Sequence, residues 1–572
     1  MSRIMSAEGF LIFLLVGLHL FIFTRGMDEE GWGSLSNTVS ILEDRDLNLA
    51  NNRFPSQEGP SAPVETAVPA EVAPETEPHE GPAAGEPVPP PEHIEVPPAA
   101  PEGQSEDAPA AMPAAEEETP TPTGPYGASP ANAERIVART PLGTSFFDIP
   151  FVWAANRWFI PEAKQDDDQE TVHAKKAAKE STDVFALLLS RSFWTVLAML
   201  VLYAVLTDLE FPRGDSLMSV LFIFASSSLT WYGASSSSYG VATFVFALIL
   251  YAFTHLLLKI KQEAGYEYYG RWFGIGLLVG LAGLVEYGSV WLAAVFVLYL
   301  LLDRTGWGTA ILKIIVFALG FGAVWWINPC YWSTQFGTGV FSALRETFQL
   351  AGWHLAPVRV LFHLRNGFFL FAPLYFFGFF GLLLYLMNRS EAPVEFRLGG
   401  VSLLSLLALS FAAGLNVRWT QGGFGQHLLT PALVFVAIGV GELLGAEDKR
   451  FLRYLLGFAA TVWSYLVFLL ARSGILGDSA YGLADVRPYW KAIWGKDYTW
   501  KWILNRVGNC SATMNYMLAE ERRGVFLVFI VAAFLLLLPA FSFVREHRLR
   551  EQLERKARRD AADKWRAPGW QR

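Results

Sequence analysis

"VFALLLSRSFWTVLAMLVLYAVLT", residues 184–207, decides the class of the fold. A helix crosses the hydrocarbon core of a bilayer when about 17–25 of its residues are predominantly apolar, and this stretch meets that length. Residues 239–258, 309–327, 368–387, 398–415, 428–444 and 524–543 read the same way. With the shorter apolar runs, beginning at 10–23, the chain is expected to cross about twelve times. Composition agrees: 52% of the 572 residues are hydrophobic and 17% charged, against roughly 25% charged in a soluble domain. The sequence therefore predicts an all-α polytopic membrane protein.

Lys and Arg in short loops hold those loops inside. Arg213, Lys259 with Lys261, Arg304, Arg389 with Arg397, Lys449 with Arg450 and Arg453, and the tail after Arg545 all fall on one face by parity. The N-terminus then lies inside as well, and residues 1–24 form an uncleaved first anchor, since no small-residue cleavage site follows the apolar run. On the outer face fall the acidic loop 25–54, the serine-rich turn 235–239, the Glu286–Tyr287 turn, the loop 328–366 and residues 418–427. This arrangement puts both termini in the cytoplasm of a bacterial inner membrane and the active face outside.

Residues 55–134 hold twenty of the 32 prolines, all between Pro55 and Pro130, mixed with Ala, Glu and Gly. Such a segment buries too little apolar surface to offset its ordering entropy and is expected to be an extended, disordered spacer. Residues 135–183 read as an interfacial segment, 184–543 as the multi-pass core, and 544–572 as a basic cytoplasmic tail near anionic lipid. The net charge of −9 sits largely in the linker and implies no nucleic-acid partner. Cys330 and Cys510, the two cysteines, both fall in outer loops, where a bridge could form. No P-loop, H-E-x-x-H, G-x-S-x-G or Cys/His cluster occurs, so nucleotide hydrolysis, zinc proteolysis and serine esterase chemistry lack support.

The chemistry-bearing groups gather on the outer face. Asp28, Glu29 and Glu30 stand at the exit of the first span, and Glu43, Asp44 and Asp46 follow at the end of an expected interfacial helix over 35–42. A carboxylate there suits a general base for an acceptor hydroxyl. No cofactor is called for, beyond a divalent cation that the three acids could hold. "TPLGTSFFDIPFVWAANRWF" (140–159) reads as a helix at the membrane surface. Arg365 in "HLRNGFFLFAPL" sits at the mouth of a span, where it can snorkel or grip a phosphate. In "NVRWTQGGFGQHLLTP" (416–431) the glycines allow close backbone approach to a ligand, with Arg418, Gln426 and His427 beside it. The tryptophan-rich stretch 489–504 reads as an interfacial belt, the alternative being the lining of an acceptor groove.

Taken in order, the acids after the first span, "SLSNTVSILEDRDLNLANN", "PLGTSFFDIPF", "SSSLTWYGASSSSYGVATFVFAL", "GLLVGLAGLVEYGSVWL", "RNGFFLFAPL" and "WTQGGFGQHLLTPAL" resemble the GT-C membrane glycosyltransferases. That class includes protein O-mannosyltransferases and lipid A aminoarabinose transferases, and the resemblance spans nearly the whole chain apart from the insert and tail. It implies transfer of a sugar, with inversion, from a polyprenyl-phosphate carrier to an envelope lipid, glycan or protein. Asp28 or Glu29 would be the base, with Glu30 beside them and Glu43 and Asp46 in support. Arg365, Arg418, Gln426 and His427 would surround the donor phosphate. The chain departs from the pattern at Glu286 and His427, where relatives carry Arg, and at Ser238, where they often carry His. Those departures imply an altered donor or a non-catalytic, scaffold-like member. A transporter, the third reading, would want charges deep inside spans, where the sequence offers mainly His19 and His255.

Overall fold

Apolar sequence closes into helices wherever a chain crosses a bilayer, because a helix satisfies its backbone amides without water. The computed structural model describes residues 29–43, 126–129, 132–138, 141–159, 168–225, 227–233, 235–259, 266–303, 306–336, 356–362, 367–416, 426–445 and 450–472, with 553 and 557 in the tail. Among the described residues six helices are long and apolar enough to span, and two shorter apolar helices, Tyr287–Leu302 and Pro373–Asn388, lie beside them. The expected spans at 10–23 and 524–543, the tryptophan-rich stretch and Cys510 lie outside the described residues.

In chain order the elements are α1 (Glu29–Glu43), β1 (Tyr126–Ser129), β2 (Asn132–Ala138), α2 (Gly143–Phe159), α3 (Gln169–Asp208), α4 (Arg213–Phe224), α5 (Ser227–Gly233), α6 (Tyr239–Lys259) and α7 (Tyr266–Val285). A 3-10 turn, Tyr287–Val290, leads into α8 (Trp291–Leu302), α9 (Trp307–Trp325), α10 (Ile327–Phe336), α11 (Ala356–Phe362), α12 (Phe368–Phe371), α13 (Pro373–Asn388) and α14 (Pro393–Leu415). A second 3-10 turn, His427–Ala432, opens α15 (Leu433–Gly445), and α16 (Arg450–Arg472) follows.

The bundle is helical as expected, and two local features were not foreseen. Strands β1 and β2 pair antiparallel, Tyr126 opposite Ala138, as a two-stranded hairpin at the end of the stretch read as disordered. Isoleucine and valine at 136 and 137 supply the β-branched residues that the preceding Pro/Ala/Glu sequence lacks. Second, α3 begins at Gln169, well ahead of the apolar run at 184, because Asp168 caps it by accepting from the Thr171 amide at 2.9 Å.

Helix pairs lie close where glycine removes the side chain. A Cβ on Gly276 would meet the Phe317 carbonyl oxygen at 2.2 Å, and one on Gly320 would meet that of Phe273 at 2.2 Å, so α7 and α9 run side by side in parallel. Likewise a Cβ on Gly381 of α13 would meet the Gly439 carbonyl oxygen of α15 at 2.0 Å, and one on Gly378 would meet the Val436 side chain at 2.2 Å. Small residues that admit such approach are how helices associate in lipid, where no hydrophobic force drives them together.

The bundle has an apolar core and apolar side chains on its outside, and its charged and hydroxyl groups within the spans turn inward. On α9 Ile311, Leu312, Ile315 and Leu319 are exposed while Lys313 is buried, bonded to Asp303 at 2.8 Å and lying over the Tyr268 ring. Helix α2 repeats the inversion: Phe146, Trp153 and Trp158 face outward, and Thr144, Ser145 and Asp148 face the protein. The helix ends sort into two groups. One end is stitched by Asp303 with Lys313 and Arg397, by Asp208 with His255, and by Asp215 with Arg450. The other gathers hydroxyls, amides and turns, and is the end the sequence assigns to the outer face.

Candidate functional site

At that hydroxyl-rich end the loop segments singled out in the sequence meet. The serine-rich turn folds on itself: Ser235 and Ser237 hydroxyls lie 2.8 Å apart, and both donate to the Tyr232 carbonyl. This local satisfaction lets four consecutive serines, Ser235 to Ser238, be buried. Gly240, next in line, sits against α3 so tightly that a Cβ would meet the Thr195 hydroxyl at 2.6 Å. The turn is thereby fixed to the outer part of α3.

Ser238 then donates to Glu286, Oγ to Oε2, at 3.4 Å. Glu286 stands at the exit of α7, where the backbone turns into the 3-10 segment, and Gly283 just before it accepts the Asn328 amide at 3.1 Å. His427 opens the second 3-10 turn with its ring 5.9 Å from that of Tyr232 and 5.6 Å from that of Tyr239. Ser238, Glu286 and His427 thus share one neighbourhood.

Between these turns and α14 opens a small crevice of about 20 Å³, partly open to the exterior. Glu286, Gly288, Ser289 and Asn416 give it polar atoms, and Phe246, Leu409, Leu428 and Pro431 give it apolar walls. Ser289 is 1% exposed and its hydroxyl has no hydrogen-bond partner. A buried hydroxyl left unpaired is costly, and a ligand atom or a water would relieve it.

A second cluster, which the sequence reading missed, joins α1, α2 and α3. Asp148 and Arg191, both wholly buried, pair at 2.8 Å. Ser34 donates to Asp148 at 3.0 Å and receives from Arg191 at 2.9 Å, while Ser190 donates to the other carboxylate oxygen at 2.8 Å. Ser145 adds a bond to the Ser34 carbonyl at 3.1 Å. Burial pushes the Asp148 carboxyl up from its ordinary range, and the Arg191 guanidinium and the two serine hydroxyls pull against that rise. The signal lay in the sequence as an arginine inside an apolar span, "LLLSRSFW". This clasp holds α1 to the bundle, and α1 begins with Glu29 and Glu30 and ends with Glu43.

Of the expected site residues, Glu29, Glu30 and Glu43 are therefore on α1, and Gln426, 1% exposed, directly precedes His427. Asp28, Asp46, Arg365 and Arg418 lie outside the described residues. Arg157 is exposed in the last turn of α2. Among the described residues no group of three or more His, Cys, Asp or Glu side chains is arranged to hold a metal ion. Cys330 is exposed on α10.

No protein-family model matches the sequence, and no curated protein matches it. Among solved structures the chain is similar to ArnT from Cupriavidus metallidurans bound to undecaprenyl phosphate, with a TM-score of 0.38 and 13% identity over 68% of this chain and 66% of that one. It is also similar to ArnT from the same organism in the apo state, with a TM-score of 0.35 and 16% identity over 68% of this chain and 65% of that one. The chain matches just under two thirds of the length of each.

Proposed function

We propose that the protein is a GT-C-type membrane glycosyltransferase that takes a sugar from a polyprenyl-phosphate carrier and passes it, with inversion, to an envelope acceptor on the outer face. The observation that carries this reading is spatial: segments far apart in sequence, at α1, α2, the serine-rich turn, Glu286–Ser289 and Gln426–His427, converge at one end of the bundle. Convergence of that kind at one end of a bundle is what a membrane-surface active site requires.

In this reading Asp28, Glu29 or Glu30 accepts the proton of the acceptor hydroxyl as it attacks the anomeric carbon. The carbon–oxygen bond to phosphate breaks in the same step, and its electron pair stays on the phosphate. Arg365 and Arg418 stabilise that leaving group by charge-assisted hydrogen bonds, with Gln426 and His427 nearby. Glu43 and Asp46 support the base electrostatically. The clasp of Asp148, Arg191 and Ser34 has a positioning role: it fixes the helix on which Glu29, Glu30 and Glu43 stand.

The test is release of polyprenyl phosphate from a panel of polyprenyl-phosphate sugars by the reconstituted protein, beside its Asp28→Asn, Glu29→Gln and Glu30→Gln forms. Loss of a general base costs roughly 10²–10⁴-fold in rate, and that loss is expected in one of the three. A folded protein that turns over no donor in the presence of membrane extract would favour a non-catalytic scaffold, in which Glu286 and His427 mark an abandoned phosphate site.

A further inference from the structure

We infer that the turn-bearing end of the bundle carries a docking surface for an isoprenoid lipid phosphate. Arg359 of α11 takes the anionic head, and a ladder of phenylalanine rings leading from Phe362 along α13 takes the branched, unsaturated chain. The inference rests on the glycosyltransferase reading for the lipid's role as sugar carrier, and its chemistry can be tested without turnover.

The sequence supplies the rings in one place: seven of the 44 phenylalanines lie between residues 368 and 380, in "FFLFAPLYFFGFF". The structure sorts them by face. Phe368, Phe371 and Tyr375 turn into the bundle, where Phe368 stacks on Tyr375 at 4.2 Å. The others join Phe362 of α11 in a continuous ladder. Phe362 meets Phe369 at 5.2 Å, Phe369 meets Phe376 at 5.5 Å and Phe379 at 5.8 Å, and Phe376 meets Phe380 at 4.6 Å. Phe369 is buried among them, whereas Phe362 and Phe380 are 50% and 45% exposed. Neighbouring ring planes cross at 50–72°, so the surface they present is notched rather than smooth.

Two observations set this face apart from the lipid-facing side of α9. There the exposed side chains within the span are aliphatic, Ile311, Leu312, Ile315 and Leu319, and farther along α13 Leu384 and Met387 take over from the rings. A straight acyl chain asks for no more than that. An aromatic face attracts polarised C–H groups through its negative quadrupole, and the allylic hydrogens and pendant methyls of an isoprenoid chain suit both the rings and the notches between them.

The second observation is that the ladder starts at a cation. Arg359 stands three residues before Phe362, on the same face of α11. It is exposed, and no hydrogen bond or ion pair engages it among the described residues. Helix α11 is held at the turn-bearing end, since a Cβ on Gly414 would meet the Ala356 carbonyl oxygen at 2.4 Å, two residues before Asn416 of the crevice. A guanidinium fork binds a phosphate through two parallel hydrogen bonds. Head and chain of one lipid thus find complementary chemistry along one continuous surface.

Binding of farnesyl phosphate, farnesol and dodecyl phosphate to the full-length protein in lipid nanodiscs, with empty nanodiscs measured alongside to remove partitioning, tests the assignment. Farnesol lacks the charge, and dodecyl phosphate keeps it on a straight saturated chain of equal main-chain length. Farnesyl phosphate is expected to bind about tenfold tighter than farnesol, and tighter than dodecyl phosphate by about threefold or more. Arg359→Gln should remove the first margin and leave the second. Phe362→Leu combined with Phe380→Leu, exposed positions that stay apolar, should remove the second and leave the first. Equal affinity for farnesyl and dodecyl phosphate in the unaltered protein would mean that ordinary acyl lipids cover the face, and overturns the proposal. So do margins unchanged in variants whose thermal unfolding matches the parent. Loss of a dimer in the leucine variant with lipid binding unaffected would assign the face to a second copy of the chain, and overturns it too. A protein that shows both margins yet transfers no sugar keeps the docking surface and counts against the glycosyltransferase reading alone.

Discussion

At the scale of single residues, the Asp148–Arg191 pair makes the sharpest demand on the fold. Neither side chain touches solvent, so removing one partner leaves a buried charge with nothing opposite. Asp148→Ala or Arg191→Ala is expected to destabilise the detergent-solubilised protein by about 3–5 kcal/mol. Asp148→Leu combined with Arg191→Met should cost less than the two single changes added together, because no lone charge remains. Denaturant titration of the four forms measures the difference. This pair shows why parts of the site were not legible beforehand. Asp28, Glu29 and Glu30 announce themselves as acids after an apolar run, and Glu286 and His427 stand beside glycines in short breaks between apolar runs. An arginine within "LLLSRSFW", by contrast, reads as one tolerated charge in a span, since its acid lies 43 positions earlier. Only the third dimension brings the two together.

At the scale of elements, close parallel packing makes its own forecast. A Cβ on Gly439 would sit 1.9 Å from the Gly378 carbonyl oxygen, whereas one on Gly400 meets nothing within 4 Å. Gly439→Ala is therefore expected to force α13 and α15 apart at a cost of roughly 1–3 kcal/mol. Gly400→Ala should be neutral or stabilising by up to about 1 kcal/mol, through helix propensity alone. Thermal unfolding of the two variants in the same detergent compares them. Span positions were legible in advance, because bilayer thickness imposes a length on apolar sequence. Facing was not. In α2 the apolar stripe of Phe146, Trp153 and Trp158 points outward and Asp148 points inward, yet a period of 3.6 is the same whichever face meets lipid. The hairpin at 126–138 escaped for a different reason, being only a few β-branched residues beside a long proline-rich stretch.

At the scale of the whole molecule the two ends divide the work. One is sewn by ion pairs, Asp303 with Lys313 and Asp215 with Arg450, while the other carries turns, hydroxyls and the crevice. If the second end faces outward, Cys330 on α10 should react with a membrane-impermeant maleimide added to intact cells in a Cys510→Ser background. Protection until the membrane is permeabilised would reverse the orientation. Helix α3 adds a constraint on depth. At 1.5 Å per residue its 40 residues extend about 60 Å, twice the roughly 30 Å of a hydrocarbon core. The excess lies at its N-terminal end, where Lys175, Lys176 and Lys179 bar entry into lipid. Arg191 lies nine residues beyond Thr182, or about 13 Å along the axis, so the clasp with Asp148 stays within the leaflet next to that polar end. On this reading α3 is expected to act as a depth gauge: in a thicker or thinner bilayer the boundary should shift at the ion-paired end, while the lysine-bearing end holds its depth.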